Sequence, residues 1–472
     1  MSEIKEACGL FGIYGHPEAA RMCYFGLYAM QHRGQESAGI VSWDGSKIRE
    51  QRGMGLVADV FNERHLGKEL KGNIAIGHIR YSTTGASLIR NAQPFLVRFK
   101  DLGIAIAHNG NLVNTLELRR ELEDEGSIFQ STVDSEVLVH LIAKNLNGKS
   151  LEEAVIAACN RVQGAYSLLI QANNKMIAVR DPHGFKPLAL GRLADNYVFA
   201  SETCAFDLIE AEYIRPLQPG EMVVVENGRL TSYRIAEPTR VSQCIFELIY
   251  FARPDSVVFG EVVYERRKRM GEVLALEAPQ DADFVMPFPD SGNYAAIGYS
   301  RQSGLPLELA MIRNHYVGRT FINPSQDMRD FGTRVKLNPV RSMIKNKRVL
   351  IVEDSIVRGT TIRTRVKKLR ELGAREIHMR VSCPPIRFPC FFGIDFSSKG
   401  ELIAAHHAEE DIARFIGLDS LHYLSVEGLL TAVSEPKDYC LACFTGDYVV
   451  DPCAGLSKLC LEEKPVKTTG TG

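Results

Sequence analysis

The spacing of apolar and polar residues changes near the middle of the chain. Up to about residue 235, short apolar runs are broken by glycine turns, and few stretches carry helical spacing. "NIAIGHIRYSTTG" (73–85) and "LGIAIAHNGNLVN" (102–114) read as strands that run straight into polar loops. "TLELRRELEDEG" (115–126) and "DSEVLVHLIAKN" (134–145) read as helices, with Gly126 as the stop of the first. "GAYSLLIQANNKMIAVRDPHG" predicts two strands joined by a turn at "ANNK", and strands continue to "EMVVVENGRLTSYRI". With so little strict β–α alternation, this half is expected to layer sheets against helices.

"AEPTR" (236–240) reads as a linker, and a different rhythm follows. "DFVMPFPDSG" is a strand and turn, "NYAAIGYSRQSG" a helix ending at Gly304, and "LPLELAMIR" another strand. "KRVLIVEDSIVRGTTIRTRVKKLRELGA" is strand, loop and long helix ending near Gly373, and "EIHMRVSC" is a strand again. Repeated strand–helix–strand units predict a parallel sheet with helices on both faces. The expected organisation is an α/β multidomain chain: a first domain over 8–235, a second over 241–445, and a tail over 446–472. The tail's end, "EEKPVKTTGTG", is polar and expected to be disordered. No internal repeat is visible.

Composition narrows the function classes. At 472 residues, 45% hydrophobic and 24% charged, the chain matches an ordinary globular protein. A formal net charge of −1 gives no global pull toward nucleic acid or membrane surfaces. No apolar run approaches the ~18 residues that span a bilayer. A cytoplasmic protein without nucleic-acid or membrane partners is expected. The 11 cysteines are an odd number, scattered without a signal peptide, which argues against a disulfide framework. They are core fillers, nucleophiles or metal ligands. Residues 1–7 are too few and too charged for a secretory signal, and their removal would make Cys8 the first residue.

"VLIVEDSIVRGTT" (349–361) is the most specific stretch. Its apolar strand delivers Glu353 and Asp354 to the carboxyl end of a parallel sheet, the edge where open α/β folds bind ligands. Ser355, Gly359, Thr360 and Thr361 then lead into a helix. The backbone N–H groups, hydroxyls and helix dipole there suit a phosphate monoester. Two acids beside such a cradle suggest a sugar phosphate, with the acids holding ribose hydroxyls or Mg²⁺. "ED" alone would read as an acidic N-cap. The whole string resembles the phosphoribosyl pyrophosphate motif of type I phosphoribosyltransferases. The resemblance implies that Glu353 and Asp354 grip the ribose while Ser355, Arg358, Gly359, Thr360 and Thr361 hold the 5′-phosphate. Glu353 departs from the aspartate usual in amidotransferase members. Ser291, in "FPDSG", stands where the family has a hydroxyl near the metal, which gives Ser291, Glu353 and Asp354 as the implied Mg²⁺ site. Arg313, Arg319, Arg329, Arg334, Lys336 and Arg341 lie in a loop-like segment. They suit a basic flap that covers a pyrophosphate and excludes water, with Lys336 on the ligand.

"CGLFGIYG", "MQHRGQESAGI", "GHIRYSTTG", "AHNGNL" and "TVDSEVL" together resemble the glutaminase domain of class II, or N-terminal nucleophile, amidotransferases. That resemblance implies an α-β-β-α layered domain in which Cys8 becomes residue one once "MSEIKEA" is removed. The freed α-amine titrates near neutral pH and can take the thiol proton, which an amide nitrogen cannot do. It also implies an oxyanion hole from Asn109 and the Gly110 N–H. Arg80 would meet the α-carboxylate of glutamine and Asp134 its α-amine, with Arg33 ordering the glutamine pocket.

The two halves together resemble the glutamine phosphoribosylpyrophosphate amidotransferases, from Cys8 to about Thr445. That family passes ammonia through an internal channel to displace pyrophosphate at C1 of the ribose, forming 5-phosphoribosylamine, the first committed step of purine synthesis. Feedback inhibition by purine nucleotides and a homotetramer follow as family expectations. "CLAC" (440–443) is a C-x₂-C pair that needs partners. The resemblance implies that Cys244, Cys390, Cys440 and Cys443 hold a structural [4Fe–4S] cluster, with zinc as the alternative for four thiolates. Cys383, Cys453 and Cys460 are left as structural or surface thiols. Two other readings compete. A glutamine:sugar-phosphate aminotransferase predicts sugar isomerase domains in place of the 349–361 string. A regulatory phosphoribosyl pyrophosphate-binding protein would have lost Cys8, Asn109 or Asp134, and all three are present.

Overall fold

The computed structural model describes residues 8–81, 87–237, 239–314, 337–394 and 398–452. The expected leader 1–7, the flap cations Arg319, Arg329, Arg334 and Lys336, and Cys453 and Cys460 lie outside the described residues.

Two antiparallel sheets stack in the first half. In the first, the order is Glu212–Pro216, Ala189–Leu193, Asn196–Ala200, Gly9–Tyr14, Ile74–Arg80, Ser37–Trp43 and Ile48–Met54. The second runs Arg229–Arg234, Glu221–Glu226, Lys175–Arg180, Gly164–Ala172, Leu102–Leu112 and Phe95–Phe99. Period-two alternation feeds two cores at once. Along Gly9–Tyr14, Leu10 and Tyr14 enter the core between the sheets with Ile76, Ala105 and Leu169. Phe11 and Ile13 point the other way, against Cys23 and Leu27 of the helix Ala19–Ala29. Helices Thr115–Asp124, Ser135–Asn145 and Leu151–Cys159 cover the outer face of the second sheet through Leu118, Leu138 and Val155. The layering is α-β-β-α, as the resemblance to the class II amidotransferases implied. Lys175 follows Ala172 across a two-residue turn, as expected at "ANNK". Gly126, Gly304 and Gly373 take φ of 92°, 76° and 85° just past their helix ends.

The second half is built on a four-stranded parallel sheet in the order Phe284–Pro287, Arg348–Glu353, Glu376–Val381 and Ser420–Tyr423. Phe284–Pro287 and Arg348–Glu353 carry the apolar runs of buried parallel strands, with Val349 to Val352 all fully buried, while Glu376–Val381 and Ser420–Tyr423 alternate with polar residues. Two expectations need correction. "LPLELAMIR" does not join this sheet as a strand. Leu307 makes only an isolated bridge to Val285, and Met311–Arg313 pairs instead with Leu337–Pro339. Pro306 has no N–H to extend the ladder. The fourth strand, Ser420–Tyr423, was not anticipated, because four residues carry too little pattern.

The chain closes on itself at the domain junction. Gln243–Cys244 pairs in parallel with Tyr439–Cys440, and Cys244 N donates to Phe185 O at 3.0 Å. The Phe185 ring stacks on Phe392 at 4.2 Å, so the C-terminal segment returns to the first half.

Helices Val263–Glu277 and Asn293–Ser303 cross backbone to backbone. A Cβ on Gly271 would sit 1.9 Å from Ala295 O, and one on Gly298 1.9 Å from Lys268 O. Since neither neighbour is a flexible side chain, Gly271→Val should cost about 3 kcal/mol, the upper end of overpacking penalties. Urea unfolding followed by circular dichroism measures it, and an unchanged midpoint rejects this account of the crossing.

Candidate active site

Cys8 opens the strand Gly9–Tyr14, whose Gly9 pairs with Ile79, so the antiparallel register sets Arg80 beside Cys8. The thiol is 7% exposed and donates to Tyr81 O at 3.3 Å. Burial pushes it up, and the Arg80 guanidinium pulls the other way. Arg80 itself lies 3.7 Å from Glu36. Asp134 caps the helix Ser135–Asn145. Its carboxylate accepts from Ser135 N at 2.8 Å and from Leu112 N at 2.9 Å, which ties it to the strand carrying Asn109 and Gly110. Burial would raise the Asp134 carboxyl, but His108, with Nδ1 at 3.4 Å, and the two amides hold it below its ordinary value. Burial lowers His108 in turn, and Asp134 more than reverses that. His78, buried and facing His108 O through Nε2 at 3.0 Å, is pushed down to about 3 and stays neutral. The charges of Arg80, Glu36 and Asp134 all act on the Cys8 thiol, so three separate elements converge on it.

Asn109 stands apart. Its side-chain Nδ2 and Oδ1 are buried without a hydrogen-bond partner among the described residues. An unmet buried amide costs about 1–3 kcal/mol, and native structures keep few of them. A donor held free at this place suits a ligand oxygen.

Arg33 packs against the Cys8 backbone. Nε donates to Cys8 O at 3.0 Å, Nη1 to Glu202 at 2.5 Å and Glu247 at 2.8 Å, and Nη2 to Glu247 at 2.8 Å. With all three nitrogens engaged by protein, Arg33 holds the Cys8 carbonyl. Glu202 also accepts from His32, Arg253 N and the Ser256 hydroxyl. Sequence reasoning missed Glu202 and Glu247. They lie 169 and 214 residues from Arg33, and no local motif marks either.

At the second site, Glu353 ends its strand and Asp354 follows it, next to the strand end that presents Ser291. The Ser291 and Ser355 hydroxyls both bond the Asp354 carboxylate, and burial pushes that carboxyl up against their pull and that of Arg267. Glu353 lies 4.0 Å from Arg365. Gly359 caps the helix Thr360–Glu371 at φ 71°, so Thr360 and Thr361 form its first turn at the sheet edge. The Arg358 guanidinium is paired with Glu401. Arg313, the first of the flap cations, pairs with Asp290 beside Ser291.

The four implied ligand cysteines gather at the junction. Cys244 and Cys440 are register partners, Cys443 sits on the short helix Ala442–Thr445, and Cys390 Sγ accepts from Phe392 N at 3.4 Å. Burial raises all four thiols, Cys244 to about 12, and each is within electrostatic reach of another of the four. Among the described residues, no three His, Cys, Asp or Glu side chains close on a single-ion site. Cys383 is buried in the core of the second half, as expected for a structural thiol.

A glutamine amidotransferase domain family model matches residues 78–207. The chain is 51% identical over 451 residues to amidophosphoribosyltransferase 1 of Arabidopsis thaliana, covering 95% of this chain and 79% of that protein. It is 51% identical to the amidophosphoribosyltransferase of Archaeoglobus fulgidus over 94% of this chain and 98% of that one. It also superposes on the Bacillus subtilis glutamine phosphoribosylpyrophosphate amidotransferase solved with ADP and GMP. That match has a TM-score of 0.90 and 46% identity, and covers 97% of this chain and 100% of that one.

Removing the Arg33 charge leaves two buried carboxylates without their shared cation. Arg33→Met is therefore expected to lower the unfolding free energy by about 3–5 kcal/mol. Arg33→Lys, which lacks the planar fork, should recover only part of it in urea titrations. The His108–Asp134 pair makes a pH prediction. His108 is held above its unfolded value, so its contribution is complete below about 6.5 and is lost as pH rises through the folded value. Asp134 is held low, so its share is complete above about 4 and is lost as pH falls. The stability difference between wild type and His108→Gln should shrink as pH rises above about 6.5. A pH-independent difference would refute the pairing.

Proposed function

The chain belongs to the amidophosphoribosyltransferase family, and we propose that it releases ammonia from glutamine at Cys8 and transfers it to phosphoribosyl pyrophosphate at the 353–361 loop. The products are 5-phosphoribosylamine, glutamate and pyrophosphate. The observation that carries this reading is the convergence of Arg80, Asp134 and an unpartnered Asn109 amide around the strand that begins at Cys8. Arg80 offers a cation for the α-carboxylate of glutamine, and Asp134 an anion for its α-amine. The Cys8 thiolate attacks the side-chain amide carbon. Asn109 Nδ2 and Gly110 N–H stabilise the oxyanion that forms, and the amine of Cys8 carries the proton once residues 1–7 are removed.

At the second site, Ser291, Glu353 and Asp354 would hold Mg²⁺, which neutralises charge on the departing pyrophosphate. Thr360 and Thr361 receive the 5′-phosphate at the helix N-terminus, with Ser355, Arg358 and Gly359 completing the loop. Lys336 and the basic flap would close over the pyrophosphate. Cys244, Cys390, Cys440 and Cys443 hold a structural [4Fe–4S] cluster in this reading. A zinc site needs its thiolates about 3.8 Å apart to satisfy Zn–S bonds of about 2.3 Å. The four thiols gather at the junction, with Cys244 and Cys440 in register, and zinc bound by four thiolates is the alternative. Purine nucleotides as feedback inhibitors, a homotetramer and a cytoplasmic location complete the proposal.

The test is an anaerobic assay of glutamate and pyrophosphate with glutamine and Mg²⁺, with and without phosphoribosyl pyrophosphate. Equal release of both, only with all substrates present, is expected. Glutamate without pyrophosphate would overturn the second site. Asn109→Ala should lower kcat for glutamine hydrolysis by about 10²–10³-fold. Because it removes an unmet amide, it should leave thermal stability unchanged or higher, and transfer from added ammonium salt should survive.

A further inference from the structure

Gly110 is packed against two neighbours. It sits at φ 146°, a conformation that favours glycine, and a Cβ on it would lie 2.0 Å from Ala165 O of the adjacent strand. The other neighbour comes from the second half of the chain. A Cβ on Gly393, itself at φ 98°, would come within 3.1 Å of both the Cα and the carbonyl carbon of Gly110. One residue beyond Gly110, Asn111 Nδ2 donates to Phe391 O at 3.0 Å. The turn that makes these contacts has anchors of its own. Phe392 is buried and stacks on Phe185 at 4.2 Å, and Tyr448 Oη donates to Pro389 O at 2.7 Å. Upstream, the same chain leaves the parallel sheet at Ser382, whose N–H donates to Glu353 O at 2.9 Å. Residues 382–393 therefore run from beside the acid pair of one site to the backbone of the other.

We propose that Asn111 is a positioning residue for glutamine hydrolysis: by clamping the turn 391–393 of the second domain onto Gly110, it fixes the direction of the Gly110 N–H. The inference rests on the reading of Asn109 and Gly110 as the oxyanion hole. A donor serves a developing oxyanion best when its direction is set before the reaction begins. The direction of this N–H depends on the φ of Gly110, and a glycine is the residue whose φ is least restrained by its own side chain. Restraint must therefore come from its neighbours. Ala165 supplies it from within the first domain and Gly393 from the second, and the Asn111–Phe391 bond sets how closely Gly393 approaches. Asn111 acts through that backbone, while the reacting atoms meet Asn109 and Gly110.

Asn111→Asp in the full chain tests this, because it keeps the size of the side chain and an acceptor oxygen but removes the donor to Phe391 O. On protein whose intact mass shows Cys8 as the first residue, kcat and KM for glutamine are measured beside 5-phosphoribosylamine formation from ammonium salt. The kcat for glutamine is expected to fall about tenfold or more, less than the 10²–10³-fold that loss of a whole oxyanion donor costs. KM should stay within about twofold of wild type, as for an interaction made only in the transition state, and the ammonium-driven rate should be unchanged. A wild-type kcat for glutamine overturns the role of Asn111. Equal losses in the glutamine and ammonium reactions, or a rise in KM alone, assign the clamp to the fold or the pocket and overturn it too. Wild-type protein that uses ammonium salt but releases no glutamate overturns the glutaminase reading and the proposal with it. Should Asn111→Asp not accumulate, Gly393→Ala decides. Its methyl group presses on Gly110 directly, so the same split is expected, and an unchanged kcat for glutamine overturns the proposal.

Discussion

Arg33 is a buried cation held between a carboxylate of its own half, Glu202, and one of the other, Glu247. Taking three charges out of water is costly, and only close geometry with every acceptor used offsets it. Both conditions are met. Glu247 takes two nitrogens of the fork, and Glu202 is filled by His32, Arg253 N and Ser256 besides. Such a set has no good half-formed state, because a displaced Glu247 would leave the guanidinium charge partly unmatched. The docking of the two halves is therefore coupled to the position of the Cys8 carbonyl.

The phosphate site follows a different logic. There the strand ends of one parallel sheet do the positioning, and the acids, hydroxyls and helix N-terminus come from neighbouring strand–loop units. Ser291 and Asp354 meet because their strands are adjacent and in register. Such a site is local in sequence as well as in space, since 353–361 supplies most of it.

That contrast explains what was legible in the chain. The 349–361 string and the shift from layered sheets and helices to parallel strand–helix units can be read from residue order, because each is chemistry or periodicity over neighbouring positions, while the motifs around Cys8, Arg80, Asn109 and Asp134 are legible through their resemblance to the class II amidotransferases. Glu202, Glu247 and Lys186 could not be read. A glutamate in "SETCAF" looks like an ordinary polar residue until His32 and Arg33, far along the chain, reach it, and a lysine in "HGFKPL" until Glu247 comes within 3.6 Å. Arg33 was read as ordering the pocket, but the carboxylates through which it is held, Glu202 and Glu247, lie far along the chain. The strand Ser420–Tyr423 escaped for a simpler reason: four residues hold barely two alternations.

Chemistry at two sites joined by free ammonia places a further demand on the junction. Ammonia protonates in neutral water and then cannot attack C1 of the ribose, so water must be kept from the boundary between the halves. Val113, Ala165, Phe185 and Phe392 form an apolar cluster at that boundary, with Phe185 stacked on Phe392. Asn111, on the same strand as Asn109 and Gly110, donates to Phe391 O at 3.0 Å and fixes the loop from Cys390 against it. The polar contact sets the register of that loop, and the aromatic pair dries it. The loop that starts at Cys390 ends against the Gly110 backbone, where a Cβ on Gly393 would come within 3.1 Å of Gly110 Cα. Here the stability of the junction and the fate of the ammonia depend on the same few residues.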